Sequence, residues 1–543
     1  MLSARFSTAT LEPASALAAI DEEIAAHELA ARELRTRRNL YSPTSKFPNE
    51  LLSEIFIIAK AMSTTTLSYG ERRARGGGWL NVAGVCSAWR DIALNTPRLW
   101  NEMDTSRIKS PEWASIMLAR SKAAPLFVEC LSGSTGQSQR QRLTEKEILK
   151  HIARIQELHI FAECPTLLEL FSPDSDSAVV PATKLQLLRI NTTPSPTSFP
   201  ALMPQVFKIP MPSLHTLILL SVDLPHDIPA LPHLRHLTVK SVSRSMSIGV
   251  LLSLLRGTTF LEDLEFQHDR AGLSAGEVND CTTVELPQLT QLSIKTSYSE
   301  SAALFQYINY PPLAHVRFEC SAEQPLPLNL ADVVLSFASS AIAAKVDEVS
   351  IRETSSHQIQ LKACVGNVPW LDIICHRLAP SIVELLRIAN MIPSSNIHTL
   401  ALSGGFTSIE RATWMDLFDY FGHAHELKIE KPNEMFMELL MRPKDDDWIP
   451  FPILNKLILV KGLFDGRFTS VIKSFLAERN ALDGVDNPLT LEIARSHIHQ
   501  NIVHDLTGCV ALLWDSVTLS IREVTGQAEH VYTGYYLEYD YTY

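Results

Sequence analysis

The sequence predicts an α/β repeat protein, with short N-terminal helices followed by a stack of strand–helix units. Three observations carry that reading. An eight-residue phrase, proline-x-leucine-x-x-(leucine or valine)-x-apolar, occurs at Pro212–Leu219, Pro232–Val239, Pro287–Ile294, Pro311–Phe318 and Pro452–Leu459. Before residue 100 the apolar residues recur instead at the three- and four-residue steps of a helix. The composition, 46% hydrophobic and 20% charged over 543 residues, is that of a folded chain long enough for several domains or one repeat array.

The first element is a helix, in the segment 1–44. Its seam runs Leu17, Ile20, Ile24, Ala31, Leu34, with His27 at the remaining position, at heptad spacing. Fewer than three heptads favour a helix packed on its own chain over a dimerising short coiled coil, since independent coiled coils need three to four. Arg35, Arg37 and Arg38 end the helix, where cations complement its dipole.

A second helical unit occupies 45–104. Pro48 fits only a first helical turn, and Leu51, Leu52, Ile55, Phe56, Ile58 and Ala59 then form a broad apolar face. Gly76-Gly77-Gly78 reads as a flexible turn, because no phosphate-loop lysine follows it. Val82, Val85, Cys86, Trp89, Ile92 and Ala93 recur at helical spacing, and Thr96-Pro97 stops that helix. So much apolar surface on two short helices calls for a partner.

These residues resemble a known family. Phe47-Pro48 with Glu50, Leu51, Leu52, Ile55 and Phe56, then Val85-Cys86-Ser87-Ala88-Trp89-Arg90-Asp91-Ile92-Ala93 and Thr96-Pro97-Arg98-Leu99-Trp100, look like an F-box of the large basidiomycete-fungal group. In that group a short helix commonly precedes the F-box, and a segment similar to Trp113–Ser121 with Ala124-Pro125-Leu126 follows it. The 38 residues from Pro48 to Cys86 are more than the family usually has. The resemblance implies docking on the Skp adaptor of an SCF-type cullin-RING ubiquitin ligase. By motif position it implies Pro48, Leu51, Leu52, Ile55, Val85, Cys86 and Trp89 as adaptor-facing or supporting residues. The alternative is that these seven residues merely hold a helical hairpin together.

After a linking segment at 105–150, the repeat phrase governs 151–520. Units without the proline begin at Leu185, Leu261, Val346, Ile397 and Ala424, and Ile155 opens the series. Taking the first apolar position of every unit, most steps lie between 20 and 33 residues, in or near the leucine-rich-repeat range. The step of 51 from Val346 to Ile397 hides about two units. Alternate apolar residues of each short strand point inward, and a unit buries that face only by stacking on its neighbours. Helical stretches such as Ile248–Arg256 and Thr413–Phe421 form the outer layer. The Asn or Cys that usually follows such a strand is missing, which makes this an irregular leucine-rich-repeat-like solenoid, a parallel sheet with outer helices.

The outward positions of these strands form the expected target-binding face. There stand His215, Thr216, Arg235, His236, Glu262, Asp263, Glu265, Gln291, His315, Arg317, Asn455 and Lys456, a polar mixture suited to a protein or peptide. The Tyr-rich segment 521–543 fits a terminal strand, and Lys444–Asp447 a solvated loop.

Other chemistry is not signalled. No phosphate loop, dinucleotide fingerprint, nucleophile elbow, zincin or calcium-loop pattern occurs, and no cofactor is expected. His423, His425, His497, His499 and His504 lack companion ligands at metal spacing. Eight cysteines without a C-x-x-C pair read as reduced thiols, in cytosol or nucleus. A net charge of −12 favours neither nucleic acid nor an anionic membrane as partner, and no apolar run is long enough to span a bilayer. The expectation is a non-catalytic receptor, with an interaction scaffold carrying a purely structural F-box-like segment as the alternative. A hydrolase or transferase ranks last for want of a motif.

Overall fold

A computed structural model describes residues 13–65, 78–108, 110–132, 139–171, 180–192, 204–222, 224, 229–241, 248–268, 283–321, 343–355, 358–376, 392–404, 411–441, 448–481, 489–507, 511–514 and 519–521. The Tyr-rich segment, Gly76-Gly77 and Lys444–Asp447 lie outside the described residues. The chain is α/β, with a mostly parallel sheet, and divides into two units, Met1–Ser221 and Val222–Tyr543.

The first unit begins with helices α1 (Pro13–Asn39) and α2 (Asn49–Thr65). Short helices at Val82–Val85 and Ser87–Asn95 follow. Its strands are β1 (Glu102–Asp104), β2 (Leu126–Ser132), β3 (Ile155–Ala162), β4 (Leu187–Thr192) and β5 (Thr216–Leu220), paired in that order and all parallel. The ladder therefore starts before residue 151. Its first strand adjoins the helical module, and its second lies within the segment read as a linker.

In the second unit the strands are β6 (His236–Ser241), β7 (Asp263–His268), β8 (Val284–Glu285), β9 (Gln291–Ser297), β10 (Ile308–Asn309) and β11 (His315–Ser321). They continue as β12 (Glu348–Ser355), β13 (Gln358–Val365), β14 (Val368–His376), β15 (Thr399–Ser403), β16 (Glu426–Glu430), β17 (Lys456–Val460), β18 (Leu463–Phe464), β19 (Thr490–Ala494), β20 (His497–His499), β21 (Ala511–Trp514) and β22 (Leu519–Ile521). Pairing runs parallel through β6, β7, β9 and β11, and again through β12, β15, β16, β17, β19 and β21. Between these two runs β11 pairs with β14, β14 with β13 and β13 with β12, the last two antiparallel. The 51-residue step thus contains two extra strands that fold back as a hairpin, where about two strand–helix units were expected. Gly366 and Asn367, at φ +56° and +69°, make the tight β13–β14 turn.

One turn recurs before the strands. The amide of each first inward residue donates to the carbonyl three residues earlier: Leu214 to Met211, Leu234 to Leu231, Leu289 to Leu286 and Leu454 to Phe451, at 3.1–3.2 Å. The proline of the phrase sits second in this turn, where its fixed φ is preorganised. Units lacking proline make the same bond, from Leu185, Leu261, Val346, Ile397 and Ala424. The unit at Pro311 departs by one residue. Its turn runs from the Pro311 carbonyl to the Ala314 amide, so Ala314 is the buried residue and Leu313 is 81% exposed.

Inward residues along the strands are almost fully buried, as with Leu237, Val239, Leu264, Phe266, Leu292 and Ile294. Helices between strands bury their own apolar residues, such as Leu251, Leu252 and Leu255 of Ile248–Arg256. Asn433 and Asp465 cap their helices by accepting from the amides of Phe436 and Phe468. The buried Arg479 ties its helix back to the turn that precedes β17, donating to the carbonyls of Pro450, Phe451 and Leu454.

Gly404, at φ +131°, follows β15, and an added Cβ would lie 2.6 Å from the Glu353 Cβ and 2.9 Å from its carbonyl. Gly404→Ala combines a forbidden backbone region with this overlap. We expect a loss of roughly 1–3 kcal/mol, read as a shifted urea midpoint with an unchanged slope.

Candidate docking surface of the helical module

Helix α2 has two apolar faces with different fates. Leu52 and Phe56 are 5% and 1% exposed. Phe56 packs on Trp89 of the Ser87–Asn95 helix, ring centroids 5.0 Å apart. On the other side Leu51, Ile55, Ile58 and Met62, at helical spacings of four, three and four, are 52%, 46%, 56% and 67% exposed, and Phe47 just before the helix is 47% exposed. Such a stripe is what a helix presents to a groove on another molecule.

The inner face ends in a buried charge. The Lys60 ammonium donates to the Leu99 carbonyl at 3.1 Å and the Arg98 carbonyl at 3.4 Å and pairs with Glu102 at 3.2 Å. Desolvation lowers its pKa, and Glu102 opposes that shift. Ser53 accepts from the Thr96 hydroxyl, and Arg98 pairs with Glu54. Trp100, 1% exposed, donates from Nε1 to the Ala93 carbonyl and carries the Arg120 guanidinium over its ring at 4.4 Å. These contacts join α2 to the start of β1.

The seven residues assigned by motif position separate accordingly. Pro48, Leu51, Ile55 and Val85 are exposed. Leu52 faces its own core, which corrects its assignment as an adaptor contact. Trp89 is half-buried against Phe56, and the half-buried Cys86 thiol caps the next helix by accepting from the Trp89 amide. Motif reading missed Met62 and Lys60; a lone Lys in the apolar run Ile57-Ile58-Ala59-Lys60-Ala61-Met62 was the available signal. The α1 seam is exposed too, with Leu17, Ile20, Ile24 and Leu34 at 42–63%, so among the described residues none covers it.

The outward strand positions of the second unit form ion-paired rows. Arg235 pairs with Glu262, His236 with Asp263 at 2.6 Å, and Lys240 with Glu265 at 2.8 Å. Thr238 also donates to Glu265. Arg317 lies 3.9 Å from Asp372, and Lys456 is 2.8 Å from Glu492 and 3.9 Å from Glu426. The hydrogen bond that Lys456 donates to Glu492 is the main cause of its raised pKa. His315 has a buried, unpartnered Nε2, and desolvation lowers its pKa. Arg235 and Glu262 stand at the leading ends of β6 and β7 rather than on the strands, as does His215 before β5 in the first unit. Asp372, Glu426 and Glu492, which complete the pairs, were not picked out from the sequence because they become neighbours only through strand register.

The first unit's outward face differs. Glu129, His159 and Arg189 form one register row and Leu131, Phe161 and Asn191 the next, lining a cavity of about 320 Å³. Among the described residues no cluster of His, Cys, Asp and Glu could hold a metal ion, and no helix is long and apolar enough to cross a membrane. His398 and His425 meet as a pair, ring centroids 5.2 Å apart.

Fold and site together define an α/β protein with a mostly parallel sheet and, among the described residues, an uncovered apolar face on α2. No family model matches the chain, and no curated protein matches it.

Glu102→Gln would remove a carboxylate from beside the charged Lys60. Destabilisation of roughly 1–3 kcal/mol is expected near neutral pH. The penalty is full while Lys60 is protonated and fades as pH rises through its lowered pKa. Denaturant titrations from pH 7 to pH 10 would read this; an effect independent of pH would contradict it.

Proposed function

We propose that the chain is a non-catalytic substrate-recognition subunit of an SCF-type cullin-RING ubiquitin ligase. In this reading the module at 45–104 docks on the Skp adaptor, and the repeat body holds a protein target for ubiquitin transfer by other subunits. One observation carries the reading: the stripe Leu51, Ile55, Ile58 and Met62 stays uncovered on a helix whose opposite face is buried. It lies within the segment that resembles an F-box. A receptor of this kind works by raising effective concentration, so it needs no reacting group of its own. Cytosol or nucleus is where such a ligase would act.

A second reading is favoured by the bonds of Lys60. They fasten α2 to the residues that lead into β1, as a cap on the edge of the sheet would require. The module would then be a structural part of an interaction scaffold, with no link to a ligase.

Affinity measurement with purified Skp adaptor separates the two. Micromolar or tighter binding is expected for the full chain. Ile55→Asp with Ile58→Asp should weaken it at least about a hundredfold while the melting temperature holds, because both side chains are exposed. Leu52→Ala should instead destabilise the fold by about 2–5 kcal/mol. Absence of adaptor binding by the folded wild-type chain would leave the scaffold reading.

A further inference from the structure

Helix α1 spans 27 residues, about 40 Å at the usual rise, and from Ala14 to Arg38 its residues are exposed except for half-buried Ala16 and Ala31. Leu17, Ile20, Ile24, Leu29 and Leu34 are 62%, 42%, 51%, 59% and 63% exposed. In proteins most helical stability comes from packing of an apolar face, and the pairs Glu28–Arg32 and Glu23–His27 add only a few tenths of a kcal/mol each.

The charges of α1 are segregated. Asp21, Glu22, Glu23 and Glu28 lie in its first two-thirds, and Arg32, Arg35, Arg37 and Arg38 in its last third, with Glu33 the exception. The helix dipole does not account for the acidic group. No acidic residue occupies the first turn, where the dipole acts, and the run begins at Asp21, the ninth residue of the helix.

We propose that α1 pairs antiparallel with α1 of a second copy of this chain. A parallel, in-register pair would set acid beside acid and arginine beside arginine. The antiparallel arrangement sets each acidic stretch beside the other copy's basic one. With Ile24 of one copy opposite Leu34 of the other, Asp21 and Glu23 fall beside Arg35 and Arg37, twice by symmetry, and His27 meets Ala31. The flanking positions of a heptad seam are where such charges select partner and orientation. The surface is distinct from the α2 stripe, so the pairing does not depend on the adaptor reading.

Sedimentation velocity of the full chain from 1 to about 100 μM tests this. A monomer–dimer equilibrium is expected. Asp21→Arg with Glu23→Arg would place arginine against arginine and should weaken association about tenfold or more, and adding Arg35→Glu with Arg37→Glu should restore it. All four positions are exposed, and circular dichroism would verify that helix content is kept. A monomer at every concentration would overturn the proposal, as would a dimer indifferent to the first two substitutions, the behaviour of a parallel pair.

Discussion

The turn repeated before β4, β5, β6, β7, β9, β12, β15, β16 and β17 is the constraint on which the rest of the sheet depends. A single amide-to-carbonyl bond across three residues fixes where the first inward side chain enters the core. Along the strand that follows, side chains alternate strictly, so Leu237 and Val239 share the inward face. Proline in the second position lowers the conformational entropy lost in forming the turn, yet Leu185, Leu261 and Ile397 show that the geometry survives without it. The unit at Pro311 shows how the constraint absorbs irregularity. Its turn shifts by one residue, Ala314 takes the buried place, and Val316 and Phe318 keep their inward positions. The opposite ends of several strands share a second feature. Ser221, Lys431, Lys461 and Arg495 follow β5, β16, β17 and β19 with φ between +49° and +58°. Non-glycine residues in that region cost energy, so the exit geometry is imposed by the stack rather than chosen locally.

What was legible in the sequence follows from these local rules. Inward triplets such as Leu234, Leu237 and Val239 carry their own signal, because burial demands apolar residues at fixed spacing. The extra strands β13 and β14 carry none of that phrase. Their residues alternate, as Ile359, Leu361 and Ala363 do, but alternation is common to parallel and antiparallel strands. Direction is decided by which neighbour the strand meets, β11 on one side and β15 on the other, and that is a long-range fact. The start of the ladder at β1 was hidden for a similar reason: a three-residue strand is too short to show a period.

The helical module shows the same division. Motif spacing located α2 and the Ser87–Asn95 helix but could not separate inner from outer apolar residues, since a broad apolar face of Leu, Ile and Phe has no visible seam. The separation came from packing. Phe56 against Trp89 and Lys60 against the carbonyls of residues 98 and 99 turn one side of α2 inward, and helical geometry then turns Leu51, Ile55, Ile58 and Met62 outward. A lysine buried in such a place is costly unless it is well bonded, which makes it a strict setter of rotation: sliding α2 would strand the charge.

The outward faces of the two units differ in what they can contribute to binding. In the second unit the charges are already paired within the sheet, so a partner that covers them must strip water from pairs such as Lys240–Glu265 and Lys456–Glu492 without adding much attraction. Rows of this kind discriminate between partners and set the salt dependence of an encounter more than they add affinity. The face of the first unit sets Leu131 and Phe161 beside Arg189 and Asn191 around a cavity, a mixture of apolar contact area with a few polar groups. Buried apolar area is the larger source of affinity, and a concave surface lets a partner side chain lose its water on several sides at once. If a target binds the repeat body, the strength of that complex therefore depends on how much of the first unit's face it covers, and its selectivity on how well its own charges match rows whose charges are already paired.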